Sequence, residues 1–210
     1  MKWNKKAIII IVPIVLFLLI MGVIDQYQSN KRKDFLGEIS RKQRSNDIRG
    51  EIKACDAAIN EFPDDSRFYR SRAEAKIEMS DLTGAIADYT ECIRCDKSSS
   101  WYDERAKLQM ELNNYNEAIA DYSKAIELSP KSYNSYANRG NAKNRLHDYT
   151  GAMGDLNIAL EINPKNDEAY MHRGESKYFL GDKNGANLDW SKAGELGNKR
   201  AYDIMRAFSE

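Results

Sequence analysis

Apolar and polar positions alternate in two different ways along this chain. Ala7 to Ile24 reads AIIIIVPIVLFLLIMGVI, eighteen residues without a charge. From Asp47 the apolar residues return every three or four positions. Ile48, Ile52, Cys55, Ala58 and Ile59 make one stripe, the spacing of a helix with a single buried face. Pro63 ends that helix. Beyond it the period restarts in pairs and predicts helices over 66–79 and 82–95, 100–112 and 115–128, 134–146 and 149–162, 167–180 and 183–196. Short polar turns separate the members of each pair, and Asp81, Asp148 and Asp182 stand where an N-cap is expected. A final stripe, Ala201, Ile204, Met205 and Phe208, predicts a terminal helix over 199–210.

The first run is near the minimum length of a membrane helix, about 20 apolar residues. Lys2, Lys5 and Lys6 precede it in a short tail, 1–6. No small-x-small site follows it, and no cysteine stands where a lipoprotein signal needs one, so residues 7–24 are expected to remain as an uncleaved transmembrane helix. Pro13 is tolerated better there than in an exposed soluble helix. Residues 25–46 follow as a basic juxtamembrane stem whose apolar residues beyond Tyr27 are Phe35, Leu36 and Ile39. It reads as a solvated spacer, or as a segment lying on anionic headgroups.

The helical pairs are copies of one another. Arg72, Arg105, Arg139 and Arg173 are spaced 33, 34 and 34 residues apart. Ala73, Ala106, Gly140 and Gly174 follow them. Four further columns hold the same register: Ala85, Ala118, Ala152, Ala186; Asp88, Asp121, Asp155, Asp189; Tyr89, Tyr122, Leu156, Trp190; and Cys92, Ala125, Ala159, Ala193. Prolines punctuate the series at 63, 130 and 164. Periods of this length signal stacked repeats.

In these columns the chain resembles the tetratricopeptide repeat (TPR) family over about residues 47–198. That family's 34-residue unit has small residues at positions 8, 20 and 27, large ones at 4 and 24, and Pro at 32. The departures are local: Lys97 and Asn198 replace the terminal Pro, and Cys92 stands for Ala. The resemblance implies an all-α, right-handed solenoid of helical hairpins. It would comprise a degenerate half-repeat over 47–63, four repeats over 64–198 and a capping helix over 199–210, after one transmembrane helix. It also implies a partner segment held in a concave groove built from first-helix positions 2, 5, 9 and 12. The groove residues singled out on this basis are Arg70, Glu74, Asp103, Lys107, Asn134, Asn141, Asn144, Met171, Glu175 and Tyr178. The Asn group offers donors and acceptors to an extended peptide. Family members that clamp a peptide carboxylate use Lys and Asn at set positions. Arg70, Glu74, Glu104, Asn134 and Asn138 break that pattern, so the clamp is not expected.

Charge adds one constraint. Lys+Arg and Asp+Glu are both 32, but residues 1–50 carry ten basic and four acidic residues, leaving the body acidic. An acidic body argues against nucleic acid as a partner. Three cysteines are too few for a disulfide framework. Cys92 and Cys95 close a helix instead of opening one after a strand, and Asp96 stands where haem attachment requires His, so both read as packing residues. His147 and His172 lie far apart in the repeat pattern and suggest no catalytic arrangement. No enzyme activity, cofactor or metal is expected. The recurring Arg and Asp are expected to pair structurally, with a ligand-binding charge ladder as the alternative.

The chain thus reads as a membrane-anchored scaffold or adaptor for a protein or peptide partner. The alternatives are an assembly factor acting through homo-oligomers, or a chaperone or receptor for proteins crossing the membrane. The lysine-rich tail favours a bacterial inner membrane with the repeat body extracytoplasmic.

Overall fold

The computed structural model describes the backbone of residues 5–207 and the side chains of residue 14 and residues 16–207. Among these residues it is all helix: α1 (Lys5–Arg44), α2 (Ile48–Glu61), α3 (Ser66–Glu78), α4 (Leu82–Cys95), α5 (Ser99–Glu111), α6 (Tyr115–Leu128), α7 (Tyr133–Arg145), α8 (Tyr149–Ile162), α9 (Asp167–Phe179), α10 (Lys183–Glu195) and α11 (Lys199–Ala207). Each helix from α3 to α10 begins and ends within one residue of its predicted limits. The chain divides into two compact units, Met1–Met79 and Ser80–Glu210.

In the first unit, α1 runs without a break from the apolar run into the stem. The stem is not a spacer. Phe35, Leu36 and Ile39 pack on Ala54, Cys55 and Ala58 of α2, on Phe62 and on Phe68 of α3. Phe35 meets Phe62 and Phe68 edge-on at 6.2 and 6.3 Å, and Arg32 lies over the Phe62 ring at 4.6 Å. Lys31 pairs with Glu61. The end of α1 and α2 therefore form a hairpin of their own, which corrects both readings of the stem. This hairpin lacks the Arg and Asp columns: Glu38 and Ala54 stand 34 residues before Arg72 and Asp88. Glu51 replaces the small residue of the Ala85 column and is buried, with Gln43 Nε2 donating to it at 2.7 Å. Burial raises its carboxyl above the usual range, against the Gln43 bond, and Glu78 and Glu74 raise it further.

The predicted span 7–24 lies within α1, but the side chains at 7–13 and 15 are outside the described residues, as is Phe208 of the terminal stripe. Among the described residues no helix is long and apolar enough to cross a membrane. Leu16, Phe17, Leu18, Leu19, Ile20, Val23 and Ile24 are all exposed.

The second unit stacks hairpins α5–α6, α7–α8 and α9–α10 between α4 and α11. The column residues lie where the hairpins meet. Ala106, Ala118 and Tyr122 share one buried cluster; Ala137, Ala152, Leu156 and Ala159 share the next; Met171, Ala186, Trp190, Ala193 and Ala201 share the last. The two glycines at position 8 are required by contact. A Cβ on Gly140 would lie 2.7 Å from Leu156 Cγ, and one on Gly174 would lie 2.5 Å from Trp190 Nε1. Hairpin turns reverse through a left-handed residue at Asn113, His147 and Gly181. The caps follow at once: Asp148 and Asp182 accept from Gly151 N and Gly185 N at 2.9 and 2.8 Å, and Asp81 does the same for Gly84. Cys92 is buried in its small-residue column. Ala201 of α11 is buried in the last cluster, joined there by Ile204 and Met205, so this helix covers the apolar end of the stack.

Candidate functional site

The recurring Arg and Asp make one repeated knot. Arg105, Arg139 and Arg173 each present a fork to the aspartate sixteen residues on, Asp121, Asp155 and Asp189, through two bonds of 2.6–2.9 Å. The remaining guanidinium nitrogen reaches back to the preceding hairpin: Arg105 to Thr90, Arg139 to Ser123, Arg173 to Asn157, at 2.9–3.0 Å. Arg72 meets Asp56 in the same way within the first unit. One planar fork thus ties both helices of a hairpin to the hairpin before it, a geometry that Lys cannot supply. Each arginine also lies over a tyrosine three residues earlier, at 5.3–5.9 Å. The donors point at protein groups, so this ladder is structural and does not face a ligand. Lys143 and Lys177 add a second cation to Asp155 and Asp189 at 2.7 and 2.8 Å. Position 109 is Gln, and Asp121 has no such lysine.

The predicted groove residues separate into several environments. Arg70 and Glu74, in the first unit, are exposed and stand 3.7 Å from each other. Asp103 is partly buried and accepts from Ser135 Oγ at 2.8 Å. Burial raises its carboxyl, outweighing the opposing Ser135 bond and Lys107 charge. Lys107 is exposed beside Glu104, and Asn134 is exposed. Asn141 is half-buried, and its Oδ1 is enclosed with no hydrogen-bond partner among the described residues. Asn144 departs from expectation. It is 2% exposed, donates to His172 O at 2.8 Å and accepts from Ser176 Oγ at 2.7 Å, so it joins α7 to α9 and offers nothing to a ligand.

Met171, Glu175 and Tyr178 come together in a cleft of about 170 Å³ formed by α9, α10, α11 and the end of α7. Sequence reasoning did not assign its other walls to the groove: Arg145, His172, Phe179, Trp190, Arg200 and Ile204. Tyr178 leans on Trp190 at 5.9 Å between centroids. His172 is 8% exposed, and its Nδ1 is enclosed without a hydrogen bond. Glu175 stands 3.6 Å from that nitrogen, too far for one. Burial pushes the Glu175 carboxyl up, but the neighbouring His172 and the charges of Arg145 and Arg200 together hold it below the usual carboxylate range. Arg145 and Arg200 are exposed and come from elements 55 positions apart in sequence, out of reach of a pattern based on one helix face. Among the described residues no group of three or more His, Cys, Asp or Glu is placed to hold a metal ion.

Known proteins share this architecture. A family model described as TPR repeat matches residues 106–146. A search of curated proteins finds no match. Among solved structures, MamA superposes with a TM-score of 0.72 at 18% identity, covering 81% of this chain and 94% of its own. YrrB, described as a TPR protein with an unusual peptide-binding site, gives 0.71 at 12% identity over 87% of this chain and 97% of its own. The first TPR of Spaghetti (RPAP3), solved with the HSP90 peptide SRMEEVD, gives 0.51 at 27% identity over 54% of this chain and 91% of its own. The matched stretch from Ala106 to Leu146 crosses two of the hairpins whose small residues sit at close helix contacts, and the likeness in fold extends well beyond it. Residues 106–146 thus match the tetratricopeptide-repeat family, and the chain around them shares the fold of tetratricopeptide-repeat solenoids.

Proposed function

We propose that this protein is a membrane-anchored scaffold that holds a segment of a partner protein against the first helices of its repeats. The observation that carries this reading is the enclosed, unpartnered Asn141 Oδ1 on α7. A buried polar atom left without a partner costs about 1–3 kcal/mol, and a ligand N–H would relieve that. Asn134 and Lys107 add exposed polar groups from two successive first helices. The structural neighbours support the class, since two of them are described by their peptides or peptide sites.

The anchor is part of the proposal. It is supported by the exposed row Leu16–Ile20 with Val23 and Ile24, which no described protein surface covers, and by the uncharged stretch that precedes it. Because α1 is continuous, about ten residues, or roughly 15 Å of helix, separate Ile24 from the first packed residue, Phe35. The α1–α2 hairpin would then stand close to the bilayer, on its extracytoplasmic side. Two experiments test the reading. Alkaline carbonate extraction should leave the full-length chain with the membrane pellet, and protease added outside intact cells should reach the repeats; release by carbonate refutes the anchor, and protection refutes the orientation. Cross-linking in native membranes followed by affinity recovery should return one defined partner, lost with Asn141→Ala and Lys107→Ala together while the melting curve is kept. Recovery of the chain alone, with concentration-dependent self-association, would replace the scaffold by an assembly factor.

A further inference from the structure

The cleft beneath α11 has a chemistry distinct from the amide-bearing surface of α7. Resting on the reading that this protein holds peptide segments, we propose that this cleft is a separate subsite for a single carboxylate flanked by a bulky apolar side chain. Three observations support this. First, Arg145 and Arg200 converge on the cleft from α7 and α11, and neither guanidinium has an ion-pair or hydrogen-bond partner among the described residues. One carboxylate, Glu175, faces two cations, which leaves charge for one more anion. A guanidinium matches a carboxylate in a forked geometry and is desolvated more easily than an ammonium. Second, His172 is more than nine-tenths buried and lines the same cleft, with its Nδ1 unpartnered. An enclosed polar nitrogen without a hydrogen bond, on a residue that lines a cleft, calls for an explanation that a ligand can supply. Third, Met171 and Ile204 supply an apolar wall beside these charges, and the Tyr178 ring extends it. A few convergent polar groups in an apolar enclosure are the usual make-up of a recognition site.

The residues involved are not those of the carboxylate clamp that the sequence breaks. Arg145 closes α7, and Arg200 belongs to the terminal helix, outside the repeat columns. The terminal helix thus has two roles: Ala201 closes the core, while Arg200 and Ile204 complete the subsite.

The test uses the full-length chain in mild detergent and a library of acetylated, amidated heptapeptides varied at two adjacent central positions. A second copy of the library has free carboxyl termini. Wild type should select Asp or Glu next to Leu, Phe, Tyr or Trp. Enrichment in the blocked library assigns the carboxylate to a side chain, and enrichment only in the free library assigns it to a chain end; both support the subsite. Arg145→Gln with Arg200→Gln should weaken the best acidic peptide at least tenfold without changing the melting temperature, since both side chains are exposed. Arg145→Glu with Arg200→Glu should shift the selection to Lys or Arg. The proposal is overturned if no acidic preference emerges, or if the double Glu variant keeps the same preference. Should Asn141→Ala abolish selection while the double Gln variant does not, the subsite is wrong and the α7 surface stands as the site. A library that yields no peptide overturns the subsite, whereas the scaffold reading falls only if partner recovery from membranes also fails.

Discussion

Replacing Arg105 with methionine is expected to destabilise the protein more than the same change at Arg139 or Arg173, although the three arginines hold equivalent positions. Methionine keeps most of the apolar stem and removes the fork. At Arg105 the loss is two charge-assisted bonds to Asp121, at 2.8 and 2.7 Å, and one to Thr90. The Asp121 side chain is 8% exposed, and no lysine remains beside it. Breaking a buried pair and leaving one charge uncompensated costs about 3–5 kcal/mol. At Arg139 the same bonds to Asp155 are lost, but Lys143 Nζ stays 2.7 Å from its Oδ2. A retained cation of this kind keeps a charge-assisted bond worth roughly 1.5–3 kcal/mol and so cuts the loss to about 2 kcal/mol. The difference of about 1.5–3 kcal/mol corresponds to several degrees of melting temperature for a chain of this size. Urea and thermal unfolding of R105M, R139M and R173M, followed by helical circular dichroism, measure it. R105M should be lowest, and Asp121→Leu added to it should restore much of the loss by removing the stranded charge. Equal losses in the three variants, or a smaller loss at Arg105, would refute the role given to the lysines.

Other substitutions probe other contacts. Gly174→Ala places a Cβ 2.5 Å from Trp190 Nε1, whose N–H donates to Met171 O; melting should show a net loss of about 1–2 kcal/mol, since overpacking outweighs the helix preference of Ala. Gly154→Ala meets nothing within 4 Å and should gain up to about 1 kcal/mol in the same assay. Asn144→Ala should cost about 1–3 kcal/mol and speed amide exchange in α9, because it removes the tie from α7 to His172 O and Ser176. Glu51 has a folded-state carboxyl raised above its unfolded value, so its contribution is fully present below the unfolded range, about pH 4, and is lost as pH rises through the folded value. Glu51→Gln should therefore raise the melting temperature at pH 7 and leave it unchanged near pH 4; a drop at pH 7 would refute the burial argument.

How far the sequence was legible depended on the kind of contact. Columns that fill a fixed space, such as Gly140 against Leu156 or Gly174 against Trp190, repeat because every hairpin meets the same geometry, and they located eight helices. The arginine–aspartate pairing was legible from spacing, but the reach of the third nitrogen to Thr90, Ser123 or Asn157 was not, because that position varies in residue type. The extra hairpin of α1 and α2 was missed because its first helix carries neither Arg nor Asp at the column positions. Asp47 and Gly50, exactly one period of 34 before Asp81 and Gly84, were the available signal. Asn144 was misplaced because position 12 of α7 turns toward α9 instead of the open face. Arg145 and Arg200 were missed because they meet only after α11 folds onto the last hairpin.

The most direct test of the central claim is photo-cross-linking in native membranes, with a benzophenone amino acid placed at position 134 of the full-length chain, exposed on α7, and, as a control, at position 188, where Leu188 is 73% exposed on α10. The scaffold account predicts one discrete heterologous product from position 134 and none from position 188. Identical product patterns from the two positions, or products at 134 that contain only this chain, would contradict it.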